Sequence, residues 1–153
     1  MNLTVKDNLK LYSFLFYDRK VAREEAICKM IDDFRLKTMI NQKVRSLSLG
    51  MLQKLKLALT FMPSTSILIL DEPFNGLDIE GVLLLKEKIN EAKNMGKTIM
   101  ITSHNTEQLA NLCDNFVILH ESRIYSVSKN QIKDNSLEDI YCNTRRYLLQ
   151  YLT

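Results

Sequence analysis

Residues 66–78 read SILILDEPFNGLD, and the interpretation of the other motifs depends on this segment. Its four consecutive apolar residues, Ile67 to Leu70, predict a strand buried on both faces, as in a parallel sheet covered by helices. Asp71 and Glu72 follow at the carboxyl end, and Pro73 ends the strand. Because ligands of open α/β sheets bind outside the carboxyl ends of the strands, we expect chemistry at this point.

The two adjacent carboxylates, Asp71 and Glu72, leave two interpretations open. If both are buried, their repulsion and desolvation are costly unless a cation or a proton offsets them, which would indicate Mg²⁺ or proton transfer. The alternative is an ordinary strand that ends in solvated acids. The flanking motifs have to decide between the two.

Composition indicates one soluble globular domain, since the chain has 153 residues of which 46% are hydrophobic. With 21 basic and 18 acidic residues, the net charge of +3 is too balanced to imply nucleic acid binding by itself. Cys28, Cys113 and Cys142 show no CxxC spacing, which favours a reduced, cytoplasmic protein. No apolar run approaches the ~18 residues of a membrane span, and the first residues do not resemble a signal peptide. Any membrane association is therefore expected to come through a partner.

Three helices are predicted before the central strand. Thr4 followed by Asp7 has the pattern of a helix N-cap with an acid at the third helical position, and an apolar face follows. A second helix is predicted from about Val21 to Phe34, and residues 35–46 form a connection. A third covers residues 51–62 and ends before Pro63.

The entry to the third helix contains Ser48 and Gly50, and it has two readings. One is an ordinary N-cap with a permissive turn. The other is an anion site, because exposed N–H groups and the positive end of the helix dipole favour phosphate. The residues of the helix alone do not separate the two readings.

The remaining elements alternate between helix and strand. A helix is predicted over about 79–93, followed by a buried strand over 98–102 and a short helix over about 107–113. Two strands then follow, over 116–119 and 123–127, joined by a turn at 121–122. A terminal amphipathic helix is predicted from 136, and its apolar residues are Ile140, Tyr141, Tyr147, Leu148 and Tyr151. The tripeptide Gly96 to Thr98 is not the end of a phosphate loop, because Glu91 stands where the loop requires its first glycine. Gly96 instead indicates a helix C-cap.

Four motifs in this order resemble the ATP-binding subunits of ABC transporters: LSLGM at 47–51, ILILDEP at 67–73, NGLD at 75–78 and TSH at 102–104. The form of the first motif, the signature, is most similar to subunits for bacitracin resistance or lantibiotic export. The resemblance implies a partial P-loop NTPase (ABC ATPase) fold of the α/β class, with a helical subdomain and the C-terminal half of a mostly parallel sheet. The implied domains are a helical signature subdomain at 1–62 and the Walker B, D-loop and H-loop half at 63–153.

The resemblance also implies roles for individual residues. Asp71 matches the Walker B acid that helps to hold Mg²⁺, and Glu72 matches the residue that polarises the attacking water. Asp78 matches the D-loop acid that communicates across the dimer. His104 matches the switch histidine that reaches the γ-phosphate, whereas His120 has no such context and is interpreted as structural.

The signature residues Ser48, Leu49, Gly50 and Met51 are implied to contact ATP that is held by an opposing subunit, so function would require a head-to-tail dimer. Leu49 stands where the family commonly has glycine. Its side chain leaves less room for close approach to the backbone at this position. No phosphate loop, upstream adenine-stacking aromatic residue or Q-loop glutamine is identifiable. The resemblance therefore implies the C-terminal portion of the domain.

The function implied is ATP hydrolysis, with ATP and Mg²⁺, in a transporter that exports a peptide or drug-like substrate. The expected partners are a transmembrane permease and a second ATP-binding subunit at the cytoplasmic face of the membrane. One alternative is a non-enzymatic interaction module, or a degenerate fragment, that docks on another ATPase or a membrane subunit. A soluble ABC protein acting on ribosomes or DNA is disfavoured by the modest charge, so no nucleic acid partner is expected.

Overall fold

The computed structural model describes residues 3–120 and 123–131 in two compact units, Met1–Thr102 and Ser103–Thr153. The elements of the first unit are α1 (Val5–Phe16), α2 (Lys20–Asp33), α3 (Leu49–Phe61), β1 (Ile67–Asp71), α4 (Ile79–Asn94) and β2 (Thr98–Thr102), with 3₁₀ turns at Lys37–Met39 and Val44–Ser46. Those of the second unit are α5 (Thr106–Leu112), β3 (Asn115–His120), β4 (Arg123–Ser128) and a 3₁₀ turn at Lys129–Gln131. Each predicted helix and strand within these residues is confirmed with small shifts of its ends.

Two predicted features, the turn at 121–122 and the terminal helix from 136, lie outside the residues that the structure describes. The predicted domain boundary after residue 62 separates the signature from the other three motifs. The two compact units are defined by contacts within each unit, so the predicted boundary stays a prediction. Of the helices in the described ranges, none is long and apolar enough to cross a membrane.

Helix α1 begins with the predicted capping box. The Thr4 Oγ1 accepts a hydrogen bond from the Asp7 N–H at 3.1 Å, and the Asp7 carboxylate accepts one from the Thr4 N–H at 2.9 Å. The hydrogen bonds from Thr4 lower the pKa of Asp7. Val5, Leu9 and Ser13 form the buried side of the helix, four residues apart.

The three helices before β1 pack on one another. The rings of Phe34, just after α2, and Phe61, at the end of α3, lie 5.6 Å apart between centroids. Leu55 and Ala58 of α3 are buried in the same core. These contacts hold the middle and the end of α3, the helix that begins at the signature, against the helices before it.

Strands β1 and β2 pair in parallel, with Asp71 opposite Thr102. Only alternate residues of β1 are buried: Leu68 and Leu70 are 3% exposed, whereas Ile67 is 59% and Ile69 66% exposed. The prediction of a strand buried on both faces is therefore wrong for β1. The prediction that β2 is a buried strand is also wrong, because its residues are exposed or half-buried. The reason is that only the face of β1 with Leu68 and Leu70 packs into the core of the first unit, whereas the opposite face is open to solvent.

A charged cluster joins α2 to α4. The ammonium of Lys88, a buried residue of α4, lies 3.0 Å from the Asp33 Oδ1 and 2.9 Å from the Glu91 Oε2. Arg35, just after α2, also pairs with Glu80 at the start of α4. Burial by itself would lower the pKa of Lys88, but hydrogen bonds to Glu91 and Asp33 outweigh it, so the pKa is raised above 10.5.

This raised pKa gives a pH-dependent contribution to stability. Because the folded protein holds the proton more tightly than the unfolded chain, the contribution is complete below pH 10.5 and is lost as the pH rises through the folded pKa. We expect Lys88→Met to lower the free energy of unfolding by about 1–3 kcal/mol at pH 8, because it leaves two carboxylates without their donor. Above pH 10.5 the difference from wild type should shrink.

Urea unfolding followed by circular dichroism at pH 8 and pH 11.5 measures this effect. The matched control is Lys86→Met, which removes a half-buried lysine from the same helix. An equal loss for both variants, or a loss for Lys88→Met that persists unchanged at pH 11.5, would contradict the assignment.

Candidate functional site

Asp71 and Thr102 end the two paired strands and face each other on the outer side of the sheet. The Thr102 hydroxyl donates a hydrogen bond to the Asp71 Oδ1. The parallel register produces this contact, because residues 71 and 102 are partners across the pair. Thr102 belongs to the motif TSH, but its hydrogen bond to Asp71 was not predicted, because the bond depends on the strand register.

Glu72 lies just past the strand in a conformation that is uncommon for its residue type. Its φ of +43° falls in the left-handed region, which disfavours side chains with a Cβ. Its N–H donates to both the carbonyl and the hydroxyl oxygen of Thr102, each at 3.1 Å. A strained backbone of this kind, held by its surroundings, is common at functional sites.

Of the two readings left open for these carboxylates, the burial of the side chains favours solvated acids at the end of a strand. Asp71 is exposed and Glu72 is half-buried. The argument that burial of both demands a cation is therefore wrong for the described structure, because the outer face of the sheet is uncovered. What points to chemistry at these carboxylates is their position at the carboxyl end of a strand.

The segment after Glu72 turns sharply and leads into α4. The Asn75 N–H donates to the Glu72 carbonyl at 3.2 Å, and Gly76 takes a φ of +78°. Asp78 is the N-cap of α4, with its Oδ1 accepting from the Gly81 N–H at 2.7 Å. Asp78 therefore has a local role in this chain besides the one that the resemblance implies.

The start of α3 lies against this turn. Ser48 is the N-cap of α3, with its Oγ accepting from the Met51 N–H at 3.3 Å, so the structural reading of this residue is confirmed. A Cβ on Gly76 would lie 2.9 Å from the Leu49 Cγ, and one on Gly50 would lie 3.1 Å from the Gly76 carbonyl oxygen. Leu49 thus occupies the space that a side chain at position 76 would need. The leucine at this signature position is accommodated by the glycine facing it.

Two further side chains of α3, also missed by the sequence analysis, reach the same turn. The Gln53 Nε2 donates to the Pro73 carbonyl at 3.1 Å. The Lys54 ammonium lies 3.9 Å from the Asp78 Oδ1. Together with the Leu49 contact, these interactions connect the first two turns of α3 to residues 73–78.

A cavity of about 450 Å³ opens between α3 and the carboxyl end of β1. Its polar lining includes Gln53 and Lys56 from α3, and Asp71, Glu72 and Asn75 from the strand end and turn. The volume lies within the range of small-molecule sites. The carboxylates of Asp71 and Glu72 both line this cavity.

His104 lies in the second unit, in the segment that precedes α5. Asn105 caps that helix, with its side chain accepting from the Gln108 N–H at 2.9 Å. The Asn105 N–H in turn donates to the Ser103 Oγ at 3.1 Å. The predicted site residues are therefore divided between the units, with Ser48 to Met51, Asp71, Glu72 and Asp78 in the first and His104 in the second.

The donor set at the end of β1 fits Mg²⁺. Magnesium sites for phosphate transfer use one or two carboxylates, with phosphate oxygens and waters as the other ligands. Asp71 is exposed, and Glu72 is its neighbour in the chain. Asp71 can therefore serve as a ligand for Mg²⁺ that is bound to a nucleotide.

Comparison with known proteins agrees with this geometry. The chain matches the family model for the ABC transporter over residues 1–75. It is 33% identical to the lantibiotic transport ATP-binding protein SrtF of Streptococcus pyogenes, over 93% of this chain and 60% of that protein. It is 30% identical to the ABC-type transporter ATP-binding protein EcsA of Bacillus subtilis, over 91% of this chain and 59% of that protein.

A solved structure described as the ATP-binding subunit of an ABC transporter superposes with a TM-score of 0.84 at 28% identity, over 92% of this chain and 62% of that one. The fold is thus a partial P-loop NTPase fold, as predicted. These matches confirm the resemblance seen in the motifs, because the chain is similar to part of the ATP-binding subunits of ABC transporters. It spans about 60% of the length of these relatives.

Proposed function

We propose that the chain supplies the signature and Walker B half of an ATP-hydrolysing domain. The observation that carries the proposal is the contact between the start of α3 and the turn after Glu72, formed by Leu49 and Gly76 in a fold similar to ABC ATP-binding subunits. Ser48 to Met51 and the carboxylates of Asp71 and Glu72 belong to the same compact unit, which supports the proposal. Since no phosphate loop is identifiable in the sequence, we infer that hydrolysis also needs a segment carrying one, and we call the two together the assembled ATPase.

In this proposal the first unit performs two tasks. Asp71 holds Mg²⁺, with its carboxylate oriented by the Thr102 hydroxyl. Glu72 accepts a hydrogen bond from the attacking water and withdraws its proton as the water attacks the γ-phosphate. When bound, Mg²⁺ would neutralise charge on the transferred phosphoryl group. His104 of the second unit would donate a hydrogen bond to the γ-phosphate.

The signature residues act on a second nucleotide. The N-cap Ser48 and the first residues of α3, Leu49, Gly50 and Met51, lie where N–H groups and the helix dipole favour a phosphate. We propose that they contact ATP held by another ATP-binding subunit in a head-to-tail dimer, and that Asp78 lies at the same interface. A permease would complete the transporter at the cytoplasmic face of the membrane.

The nature of the exported substrate rests on relatives alone. SrtF is named as a lantibiotic transport protein. We therefore propose export of a peptide or drug-like molecule, chosen by the permease. The proposal as a whole is tested by ATP hydrolysis in the assembled ATPase and by its dependence on Glu72.

The signature role gives a separate prediction. We expect Ser48→Arg in the assembled ATPase to impair ATP-dependent dimerisation while the monomer still binds ATP, because a long cation would replace the small N-cap that faces the second nucleotide. Sedimentation with and without Mg-ATP measures the dimer, and calorimetry measures binding to the monomer.

The matched control is Ser46→Arg, which makes the same change at an exposed serine two residues before Ser48. Normal ATP-driven dimers of Ser48→Arg would show that the signature assignment is wrong. Equal impairment by both variants would also contradict it, since the effect would then come from added charge.

A non-enzymatic interaction module is the second candidate, and the uncovered outer face of β1 and β2 favours it. Such a module would bind a partner through Ile67, Ile69 and Met100, each more than half exposed. Binding of a partner without ATP hydrolysis that depends on Glu72 would support this candidate.

A further inference from the structure

The side-chain amide of Gln53 meets the backbone immediately after Glu72. Its Nε2 donates to the Pro73 carbonyl at 3.1 Å in a partly buried position, and the Pro73 side chain is fully buried. A carbonyl oxygen accepts hydrogen bonds only, so the amide must present its NH₂ group here. Gln53 therefore acts as a specific donor from α3.

The backbone around Glu72 is restrained on both sides. On one side, the Glu72 N–H is bound by Thr102 at the end of β2. On the other, Pro73 has no N–H of its own, and its carbonyl is bound by Gln53. The left-handed φ of Glu72 is unfavourable for this residue type and persists only where the surroundings enforce it. Removal of one restraint allows the turn to relax and moves the direction of the carboxylate.

We propose that Gln53 is a positioning residue for Glu72, which rests on the proposed role of Glu72 in hydrolysis. Gln53 stands in the second turn of α3, five residues after the N-cap Ser48. The same helix therefore presents the signature at its start and holds the carboxylate in place from its side.

Kinetics of the assembled ATPase test the proposal with three variants. Gln53→Met keeps the side-chain length and removes the donor, whereas Gln53→Lys retains a donor at similar reach. The control is Gln42→Met, where an exposed glutamine donates to the Thr38 carbonyl at 3.5 Å. Because misplacement by about 1 Å can cost about a hundredfold in rate, we expect Gln53→Met to lower kcat about tenfold to a hundredfold, with KM for ATP within about twofold. Gln53→Lys should recover most of kcat, and Gln42→Met should resemble wild type.

A second readout does not depend on activity. The chain contains two prolines, so labelling it with ¹³C-carbonyl proline gives two signals when the phosphate-loop segment is supplied unlabelled. The Pro73 signal should shift in Gln53→Met and return toward its wild-type position in Gln53→Lys. The Pro63 carbonyl, which accepts from the Lys97 ammonium at 3.4 Å, is the internal reference and should not move.

The outcomes separate the two proposals. A kcat of Gln53→Met within about twofold of wild type, or a Pro73 signal that stays in place, overturns the positioning role. Equal losses in Gln53→Met and Gln53→Lys also overturn it, because the donor would then not matter. If wild type hydrolyses ATP and Glu72 proves dispensable, the proposed function fails instead, whether or not the Pro73 signal shifts.

Discussion

Glu72→Gln in the assembled ATPase should effectively abolish turnover and leave ATP binding intact. General base catalysis contributes about 10²–10⁴-fold to a rate, so kcat should fall by about that factor. Glutamine keeps the size and polarity of the side chain, and the phosphate contacts lie elsewhere, so the Kd for ATP should not change. Single-turnover hydrolysis and calorimetric titration with Mg-ATP measure the two quantities separately.

The matched control is Glu87→Gln, which neutralises an exposed carboxylate of α4 and should leave both quantities at their wild-type values. Steady-state hydrolysis that is unchanged in Glu72→Gln would remove Glu72 from the role of general base. If ATP binding were lost as well, the carboxylate would contribute to the affinity for ATP before hydrolysis.

Residues 1–153 by themselves should show no specific ATPase activity and only marginal stability. The outer face of the two-stranded sheet exposes Ile67 at 59%, Ile69 at 66% and Met100 at 59%. The strand edges on either side of the pair β1 and β2 offer backbone groups for further pairing. Because the outer face of this small sheet buries little apolar surface, we expect the net stability to fall below the typical value of about 5–15 kcal/mol.

We therefore expect the isolated chain to self-associate or to recruit a segment that covers this face. Apolar patches of this kind mark interaction surfaces or aggregation sites. Sedimentation, a thermal melt and titration with Mg-ATP test the expectation on the purified chain. The variant Ile67→Thr with Ile69→Thr should raise the monomer fraction, because it makes the outer face polar while β-branched residues still suit a strand.

The matched control for this variant is Leu11→Thr with Leu15→Thr, which makes a comparable change on the exposed side of α1. Micromolar affinity for Mg-ATP together with a cooperative, monomeric melt would contradict the prediction. In that case the chain would be a complete functional unit.

Local signals were strong enough to predict most elements. The capping pattern of Thr4 and Asp7 specified the start of α1 because both partners lie within one helical turn. Gly96, with a φ of +78°, follows the end of α4 where a left-handed residue is favoured. These features depend on neighbours in sequence, so the sequence is sufficient to find them.

Burial could not be predicted in the same way. The apolar run from Ile67 to Leu70 is compatible with a strand covered on both sides, and only the tertiary structure reveals that one face is open. Periodicity reports which residues are apolar, whereas exposure depends on what packs against them. For the same reason the sequence left open whether Asp71 and Glu72 are buried, and the structure has Asp71 exposed and Glu72 half-buried.

The sequence by itself determined the family, the order of the elements and the motif residues Ser48, Asp71, Glu72 and Asp78, because these are carried by residue types at short spacing. Only the tertiary structure decided that Thr102 binds Asp71, that Leu49 packs on Gly76 and that Gln53 holds the Pro73 carbonyl. Each of these pairs lies 20 or more residues apart in the chain. Their contact depends on strand register and helix packing, which no local pattern encodes.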